Sequence, residues 1–150
     1  MLTWKVKFFA ELSGEDVYQI LKLRQDVFII EQACRYLDTD NLDQQCLHAF
    51  FVSEEHDRVI AYCRVLPEGL VSPHVAIGRV VVDPEFRRQG LAQKMMLQTI
   101  DFIKQEMHPD AIKVSAQSHL NHFYAGLGFN NISAPFEEDG IEHIDMLLTL

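Results

Sequence analysis

The residues with the clearest chemical potential follow an apolar run in the middle of the chain. Val75–Val82 is mostly apolar and long enough for a buried strand. Asp83-Pro84 ends this run, because proline cannot donate to a strand ladder and restricts the residue before it. The basic, glycine-containing loop 87–92 and a segment with helical periodicity come next. This order brings free backbone N–H groups and a positive helix end together, which predicts an anion site suited to phosphate.

Each residue type in this loop suits an anion site. Gly90 allows the backbone to approach a ligand closely, and the small Ala92 keeps the first helical turn open. Arg87 and Arg88 add positive charge. The pattern is neither the Gly-x-x-x-x-Gly-Lys-Ser/Thr loop of nucleotide hydrolases nor the dinucleotide sequence Gly-x-Gly-x-x-Gly. On these six residues alone, a solvated strand-to-helix turn that happens to carry two arginines remains the alternative.

Two further arginines interrupt strand segments that are otherwise apolar. Arg64 and Arg79 attract notice because a charged side chain within a strand is rarely buried without a partner. Pairing with acidic side chains of this Asp- and Glu-rich chain is the interpretation that we prefer. The alternative is that their planar guanidinium groups bind a carboxylate- or phosphate-bearing acceptor substrate.

The Asp-rich segment 35–45 does not have the pattern of a metal site. A calcium loop has Asp-x-Asp-x-Asp-Gly and a terminal Glu, whereas Leu42 stands at a ligand position and the glycine is missing. Cys34, Cys46 and His48 lack the Cys-x-x-Cys spacing of a zinc site. We therefore predict a surface loop, buried inert cysteines and no metal ion.

Composition limits the class of protein. The 150 residues suit one domain with a sizeable core, so we predict a single domain over 1–150. A net charge of −9 opposes binding to nucleic acid or to an anionic membrane surface, and a phosphate site would need the local basic group Arg87, Arg88 and Lys94. The chain has no apolar run of membrane-spanning length and no signal-peptide pattern at its start. Three cysteines without framework spacing suit a reducing cytoplasm.

Hydrophobic periodicity predicts the elements that position these residues. Strands are expected at 1–9, 47–53, 59–66, 75–82, 111–117, 129–132 and 141–150, and helices at about 14–28, at about 89–107 and after Ser118, which can cap the last one. The strand–helix–strand unit 75–117 implies a right-handed crossover and parallel pairing. The hairpins imply antiparallel flanks. The predicted fold is therefore α/β (α+β), with a mixed, mostly antiparallel twisted sheet around a central parallel β-α-β unit and helices on both faces.

Two motifs resemble those of a known family. The loop 87–92, RRQGLA, resembles the Arg/Gln-x-x-Gly-x-Gly/Ala loop of the GNAT superfamily of N-acetyltransferases. The segment 122–129, HFYAGLGF, is similar to the family's Phe/Leu-Tyr-x-x-Leu-Gly-Phe segment. Two motifs at the family's separation and in the expected elements are more specific than either alone. The segments 27–32 and 138–144 are further similar to the ElaA-like branch.

The resemblance implies a site for acetyl-CoA. In the family, the loop binds the pyrophosphate, and backbone groups of the central strand pair with the pantetheine arm like an extra strand. A backbone N–H there, which we assign to Val81, would face the thioester carbonyl. Many members also carry an Asn early in the helix, although Asn121 lies only three residues before Tyr124, closer than in those members. The implied cofactor-binding residues are Val80, Val81, Val82, Arg87, Arg88, Gln89, Gly90, Leu91, Ala92, Asn121 and Tyr124.

The resemblance also implies a general acid. The family's tyrosine, here Tyr124, lies beside the CoA sulfur and protonates the leaving thiolate; a thiol pKa of about 8.5 and a tyrosine pKa of about 10 allow this transfer. The alternative for Tyr124 is a core tyrosine on a helix face. Glu31, His48, His119 and His122 are candidate bases by residue type, with Glu31 named first. A water chain or an already neutral amine would also serve.

Together these features predict an acetyl-CoA-dependent N-acetyltransferase in the cytoplasm. The acceptor would be a primary amine of a small molecule or a peptide. The alternative is an acyl-CoA-binding regulatory module without turnover. Homodimers are common in the family, but nothing in the residues specifies an oligomeric state.

Overall fold

A computed structural model describes all 150 residues. The elements, in chain order, are β1 (Leu2–Phe8), α1 (Gly14–Arg24), β2 (Leu47–Ser53), β3 (Arg58–Leu66), β4 (Val75–Val82), α2 (Leu91–Glu106), β5 (Ala111–Gln117), α3 (Asn121–Gly126), β6 (Asn130–Asn131), β7 (Phe136–Glu138) and β8 (Ile141–Thr149). The predicted strands are all present, and most bounds agree within two residues. None of the helices is long and apolar enough to cross a membrane.

The eight strands form one mixed sheet. Their order is β1-β2-β3-β4-β5-β8, and both β6 and β7 pair with β8. Only β4 and β5 run parallel, on either side of the α2 crossover. The residues of α2 pack on one face of the sheet in the larger core, whereas Ile20 and Leu23 of α1 pack on the other. The predicted fold class is therefore confirmed.

The first helix changes its geometry toward its C-terminal end. It begins at a capping box, in which the Asp16 backbone N–H donates to the Ser13 hydroxyl at 3.0 Å and the Ser13 N–H donates to the Asp16 carboxylate at 3.1 Å. The α-helix ends at Arg24, before the predicted end at about residue 28, because Gln25–Glu31 forms a π-helical turn. Such wide turns are frequent at functional sites. This turn carries Phe28 and Glu31 to the edge of the cleft described below.

The two parallel strands separate halfway along their length. Only Val75, Ala76 and Ile77 of β4 pair with β5, although β4 continues to Val82. A β-bulge lies next to the point of separation, because Arg79 and Val80 together stand opposite one residue of β3. Arg79 has a φ of +51°, which is uncommon for a residue other than glycine. The bulge and the separated strands leave one edge of β4 open.

Three local predictions need correction. Ser118 does not cap a helix, since it lies in a 3-10 turn and its buried hydroxyl has no hydrogen-bond partner. The segment 135–140 does not merely interrupt a strand: it contains β7, which pairs with β8 through a turn at Asp139 and Gly140. The loop 35–45 is not only a surface loop, because the Asp43 side chain within it is buried.

Candidate active site

A continuous cleft follows the open edge of β4. Its loop end is lined by Arg87, Arg88 and Gly90, together with residues of α3. Its middle lies between the separated strands and contains Val80 and Tyr124. Its hairpin end lies against the β7–β8 turn and shares Val80 and Tyr124 with the middle. The predicted phosphate loop and the predicted acid therefore open onto the same cleft.

The loop end presents a group of backbone N–H donors that have no acceptor within the chain. No backbone N–H from residue 87 to residue 93 donates a hydrogen bond within the chain, and the first intrahelical bond runs from the Lys94 N–H to the Gly90 carbonyl at 3.1 Å. Gly90 has a φ of +75°, and a Cβ added there would meet no atom within 4 Å. Free N–H groups at the start of a 16-residue helix attract anions. This geometry fits a phosphate group.

The two loop arginines differ in their availability. The Arg87 guanidinium donates to the Val82 carbonyl at 3.1 Å and to both carboxylate oxygens of Glu31 at 2.7 and 2.6 Å. Arg88 makes no hydrogen bond or salt bridge, and its φ of +64° places it at a sharp turn of the backbone. Arg88 is therefore the loop arginine that is free to meet an anion, while Arg87 joins the loop to the π-helical turn.

The pairing with Arg87 also affects Glu31 as a candidate base. The hydrogen bonds from the Arg87 guanidinium hold the pKa of the Glu31 carboxyl below its usual value. A carboxylate that is stabilised in its charged form is a weaker proton acceptor. Glu31 lies at the edge of the middle of the cleft, but its environment favours an ion-pair role.

The direction of the backbone groups in β4 can be derived from one hydrogen bond. The Asp83 N–H donates to the Ile60 carbonyl of β3 at 2.8 Å. Successive N–H groups of a strand alternate in direction, so the Val82 N–H points toward the cleft and the Val81 N–H points toward β3. Assigning the cleft-facing donor to Val81 was therefore wrong. By the same alternation, the N–H groups of Val80 and Val82 are the candidates for the contact with a thioester carbonyl in the cleft.

Tyr124 lies where the middle and the hairpin end of the cleft meet. Its side chain packs edge-on against Phe123 and Phe129 and is 5% exposed. Its hydroxyl has no hydrogen-bond partner within the chain, although its ring is held firmly. Burial raises the pKa of Tyr124 above its ordinary value, so the hydroxyl keeps its proton at neutral pH. It is placed to donate that proton to a group in the cleft.

The candidate histidines fall in different environments. His48 is buried, and both ring nitrogens are engaged, with the Tyr62 hydroxyl at 2.6 Å and the Asp43 carbonyl at 2.9 Å. Burial lowers the pKa of His48, and its role is structural. His119 lines the middle of the cleft, and His122 lines the loop end, away from the hairpin end.

His143 was not among the candidate bases predicted from the sequence, and it lines the hairpin end together with Tyr124. Its Nδ1 lies 2.7 Å from the Ile141 carbonyl, which can only accept, so this nitrogen carries the proton. Its Nε2 makes no hydrogen bond within the chain and lies 3.9 Å from a carboxylate oxygen of Glu138. His143 lies within the segment 138–144, whose similarity to the ElaA-like branch was noted without assigning a role to this histidine.

Arg64 and Arg79 both pair with aspartates of the 35–45 loop. Arg64 is 3% exposed and donates to both oxygens of Asp40 at 2.8 Å and to Asp43 at 3.0 Å. Burial acts to raise the pKa of Asp40, but hydrogen bonds and charge from Arg64 outweigh it and lower the pKa to about 2. Arg64 therefore has the acidic partners that we preferred for it.

Asp38 connects the bulge to α1. Its two carboxylate oxygens accept from Arg24 Nε at 2.7 Å and from Arg79 Nε at 2.8 Å, and its carbonyl accepts from both guanidinium groups. Three arginines and three aspartates thus form one charge-balanced group, the Arg–Asp network, consisting of Arg24, Arg64, Arg79, Asp38, Asp40 and Asp43. The network holds the left-handed residue of the bulge, and Arg79 and Asp38 also line the hairpin end.

Asn121 is directed to a different part of the fold. Its side-chain amide donates to Asn131 at 2.7 Å and lies 3.5 Å from the Met146 sulfur. It does not line any of the three parts of the cleft. The structure thus brings together the loop, β4 and Tyr124, and leaves Asn121 apart from them.

The separated parallel strands, the bulge in β4 and the donor loop before α2 are consistent with the acetyltransferase family that the two sequence motifs resemble. Residues 12–150 match the family described as "Acetyltransferase (GNAT) domain". The chain belongs to this family. It is 34% identical over 146 residues to the protein ElaA of Escherichia coli K12, covering 97% of this chain and 95% of ElaA.

Solved structures give the same result. A crystal structure of an acyl-CoA N-acyltransferase from Pseudomonas aeruginosa matches with a TM-score of 0.92 and 32% identity, over 99% of this chain and all of that one. The crystal structure of Escherichia coli ElaA matches with a TM-score of 0.91 and 33% identity, over 99% of each chain. The resemblance to the ElaA-like branch is thereby confirmed.

Proposed function

We propose that this protein is an acetyl-CoA-dependent N-acetyltransferase, a single domain that transfers an acetyl group to a primary amine of a small molecule or a peptide. The observation that carries the proposal is the group of free N–H donors around Gly90, which opens onto the cleft that contains Tyr124. Membership of the GNAT family supports an acyltransferase. Three free cysteines are consistent with work in a reducing cytoplasm.

The donor would lie along the cleft from its loop end to Tyr124. The pyrophosphate meets the free N–H groups and Arg88, which together supply charge-assisted hydrogen bonds. The pantetheine arm runs between the separated strands, where the Val82 N–H is free to pair with it as a neighbouring strand would. Gly90 and Ala92 leave this approach open, and Arg87 keeps the loop attached to Glu31.

The reaction needs three proton transfers in the cleft. The acceptor arrives as an ammonium ion and gives one proton to a base, after which its nitrogen attacks the thioester carbon. A cleft-facing N–H of Val80 or Val82 stabilises the oxyanion. The C–S bond then breaks, the thiolate takes the Tyr124 proton, and the new amide nitrogen loses its second proton, which restores the tyrosine through water. The products are the amide, free CoA and one released proton.

The base in this scheme is His143 in preference to Glu31. The imidazole Nε2 is an open acceptor in the part of the cleft that lies beyond Tyr124, where an acceptor amine would enter. The carboxylate of Glu138 stabilises the imidazolium that forms. Glu31 lies nearer the loop and is engaged by Arg87.

A thiol-release assay tests the proposal. The purified protein is mixed with acetyl-CoA and a panel of primary amines, and longer acyl-CoA donors are tested in parallel. We expect amine-dependent release of CoA and an N-acetylated product by mass spectrometry. Binding of acetyl-CoA without turnover of any amine would support the alternative, an acyl-CoA-binding regulatory module.

A second test concerns the loop. Arg88→Ala removes a free guanidinium, and the loss of one charge-assisted bond predicts an acetyl-CoA Kd that rises by about tenfold or more in calorimetry. Lys104→Ala, which removes a positive charge from the distal end of α2, is the matched control and should stay within about twofold. Equal Kd values for the two variants would contradict the placement of the phosphates at this loop.

A further inference from the structure

The hairpin end of the cleft has an unbalanced negative charge. The segment from Phe136 to Asp145 contains five carboxylates and no lysine or arginine. Two of them, Glu138 and Asp139, line the cavity beyond Tyr124. Neither forms a salt bridge with a lysine or arginine of the chain. The other charged residues of this cavity, Asp38 and Arg79, neutralise each other within the Arg–Asp network.

The charge distribution of the hairpin has a cost in the free protein. Glu137 and Glu142 stand directly opposite each other on β7 and β8, and like charges in this position destabilise a strand pair. Because side chains alternate along a strand, these two glutamates lie on the opposite face from Glu138 and outside the cavity. The hairpin thus carries carboxylates on both faces, and only one face meets the cleft.

Independent evidence that this cavity receives a ligand comes from its polar groups. Tyr124 is only 5% exposed, and its hydroxyl has no hydrogen-bond partner within the chain. The Nε2 atom of His143 also makes no hydrogen bond within the chain, and His143 lines the same cavity. Polar groups of largely buried side chains usually have a hydrogen-bond partner, so both atoms are available to a molecule bound in the cavity.

We propose that the acceptor carries a second positive charge in addition to the amine that is acylated, as a diamine or the basic end of a peptide does. The reacting amine lies between Tyr124 and His143, and the second cation is bound by Glu138 and Asp139 at the mouth of the cavity. This inference rests on the proposed acyltransferase function and specifies its acceptor. A single exposed charge pair at about 4 Å in water corresponds to roughly a fivefold effect, so two carboxylates predict about a tenfold preference or more.

The test compares two amines of equal chain length. With acetyl-CoA as donor, 1,5-diaminopentane should be acylated with a kcat/KM about tenfold or more above that of pentan-1-amine, chiefly through a lower KM. The Glu138→Gln/Asp139→Asn variant should lose this preference, because KM rises for the diamine and not for the monoamine. Removing the Glu138 carboxylate also removes its contact with His143, and the kcat lost in that way should be equal for the two amines. Glu137→Gln/Glu142→Gln is the matched control, because it removes the same charge from the outer face of the same hairpin and should retain the preference.

A binding measurement gives a second readout. 1,5-Diaminopentane is titrated by calorimetry into the protein with bound CoA. The Kd should be about tenfold higher in the Glu138→Gln/Asp139→Asn variant than in the parent. Added salt should also raise the Kd of the parent, because it screens the charges of the two carboxylates. Equal acylation of both amines, or equal loss in the control variant, would overturn the inference and leave the proposed function standing. If neither amine is acylated although acetyl-CoA binds, the proposed function fails and this inference fails with it.

Discussion

The strongest structural prediction concerns Asp38, which joins the bulge of β4 to α1. Its side chain is 9% exposed, and it binds the Arg24 guanidinium, whose side chain is 1% exposed. It also binds Arg79 at 2.8 Å. The change Asp38→Asn keeps the size of the side chain, removes its charge and places an amide N–H₂ against guanidinium donors.

The expected cost follows from the contacts that remain. Breaking a buried ion pair by neutralising one partner costs about 3–5 kcal/mol. Arg24 keeps its second partner, Asp43, at 2.8 Å, so the lower part of this range applies. We therefore expect Asp38→Asn to lower the free energy of unfolding by about 3 kcal/mol.

Urea denaturation measures this change, and Asp26→Asn provides the matched control. Asp26 pairs with Lys22 at 2.8 Å on the exposed surface of α1 and its neighbouring turn, where both side chains are more than half exposed. Such a pair contributes about 0.5 kcal/mol or less. Equal losses in the two variants would refute the conclusion that the Arg–Asp network supports the bulge. A loss confined to Asp38→Asn, with a raised acceptor KM, would support it.

Two further predictions concern the loop and the network. Gly90→Ala should lower the free energy of unfolding by about 1–2 kcal/mol, because φ is +75° there. It should also weaken acetyl-CoA binding, because the added methyl group lies beside the N–H donors. Thermal unfolding measures the first effect and calorimetry the second, and an unchanged affinity would contradict the placement of the phosphates at this loop. The pKa of Asp40 is lowered to about 2 from an ordinary 3.8, so its contribution of about 2 kcal/mol is present above pH 4 and is lost as the pH falls toward 2. Urea unfolding should show about half of this loss, about 1 kcal/mol, between pH 6 and pH 3, and Asp40→Asn should reduce it. An equal acid loss in that variant would contradict the assignment.

Local patterns were enough to predict the order of elements and the loop. Alternation in β1, the apolar run of β4 and the stripe of α2 are each local in sequence, as is the break at Asp83-Pro84. The capping box of α1 was equally legible, because it involves residues three positions apart. The fold class followed from these elements and from the handedness of the crossover.

Features that depend on distant residues could not be predicted in this way. Asp38 pairs with Arg24 and with Arg79, which are 14 and 41 positions away, and the local sequence therefore predicted only a surface loop. The role of His143 depends on β8 lying beside β5, which places the imidazole in the same cavity as Tyr124. The direction of the Val81 N–H depends on its register with β3, which the apolar residue types do not reveal.

The measurement that tests the central claim most directly is the turnover of Tyr124→Phe. This change keeps the ring and its packing against Phe123 and Phe129 and removes only the hydroxyl. The acetyl-CoA Kd should change little, whereas kcat should fall by roughly two orders of magnitude, the contribution of a positioned general acid. Because the interaction is made only in the transition state, kcat/KM should fall by the same factor.

The identity of the leaving group provides the internal control for the same variant. An acyl donor with a more acidic thiol needs no proton to leave, so the deficit of Tyr124→Phe should shrink with that donor. The account predicts a large loss with acetyl-CoA and a small loss with the acidic thiol. Parental turnover of Tyr124→Phe on acetyl-CoA would contradict it and would leave water as the proton source.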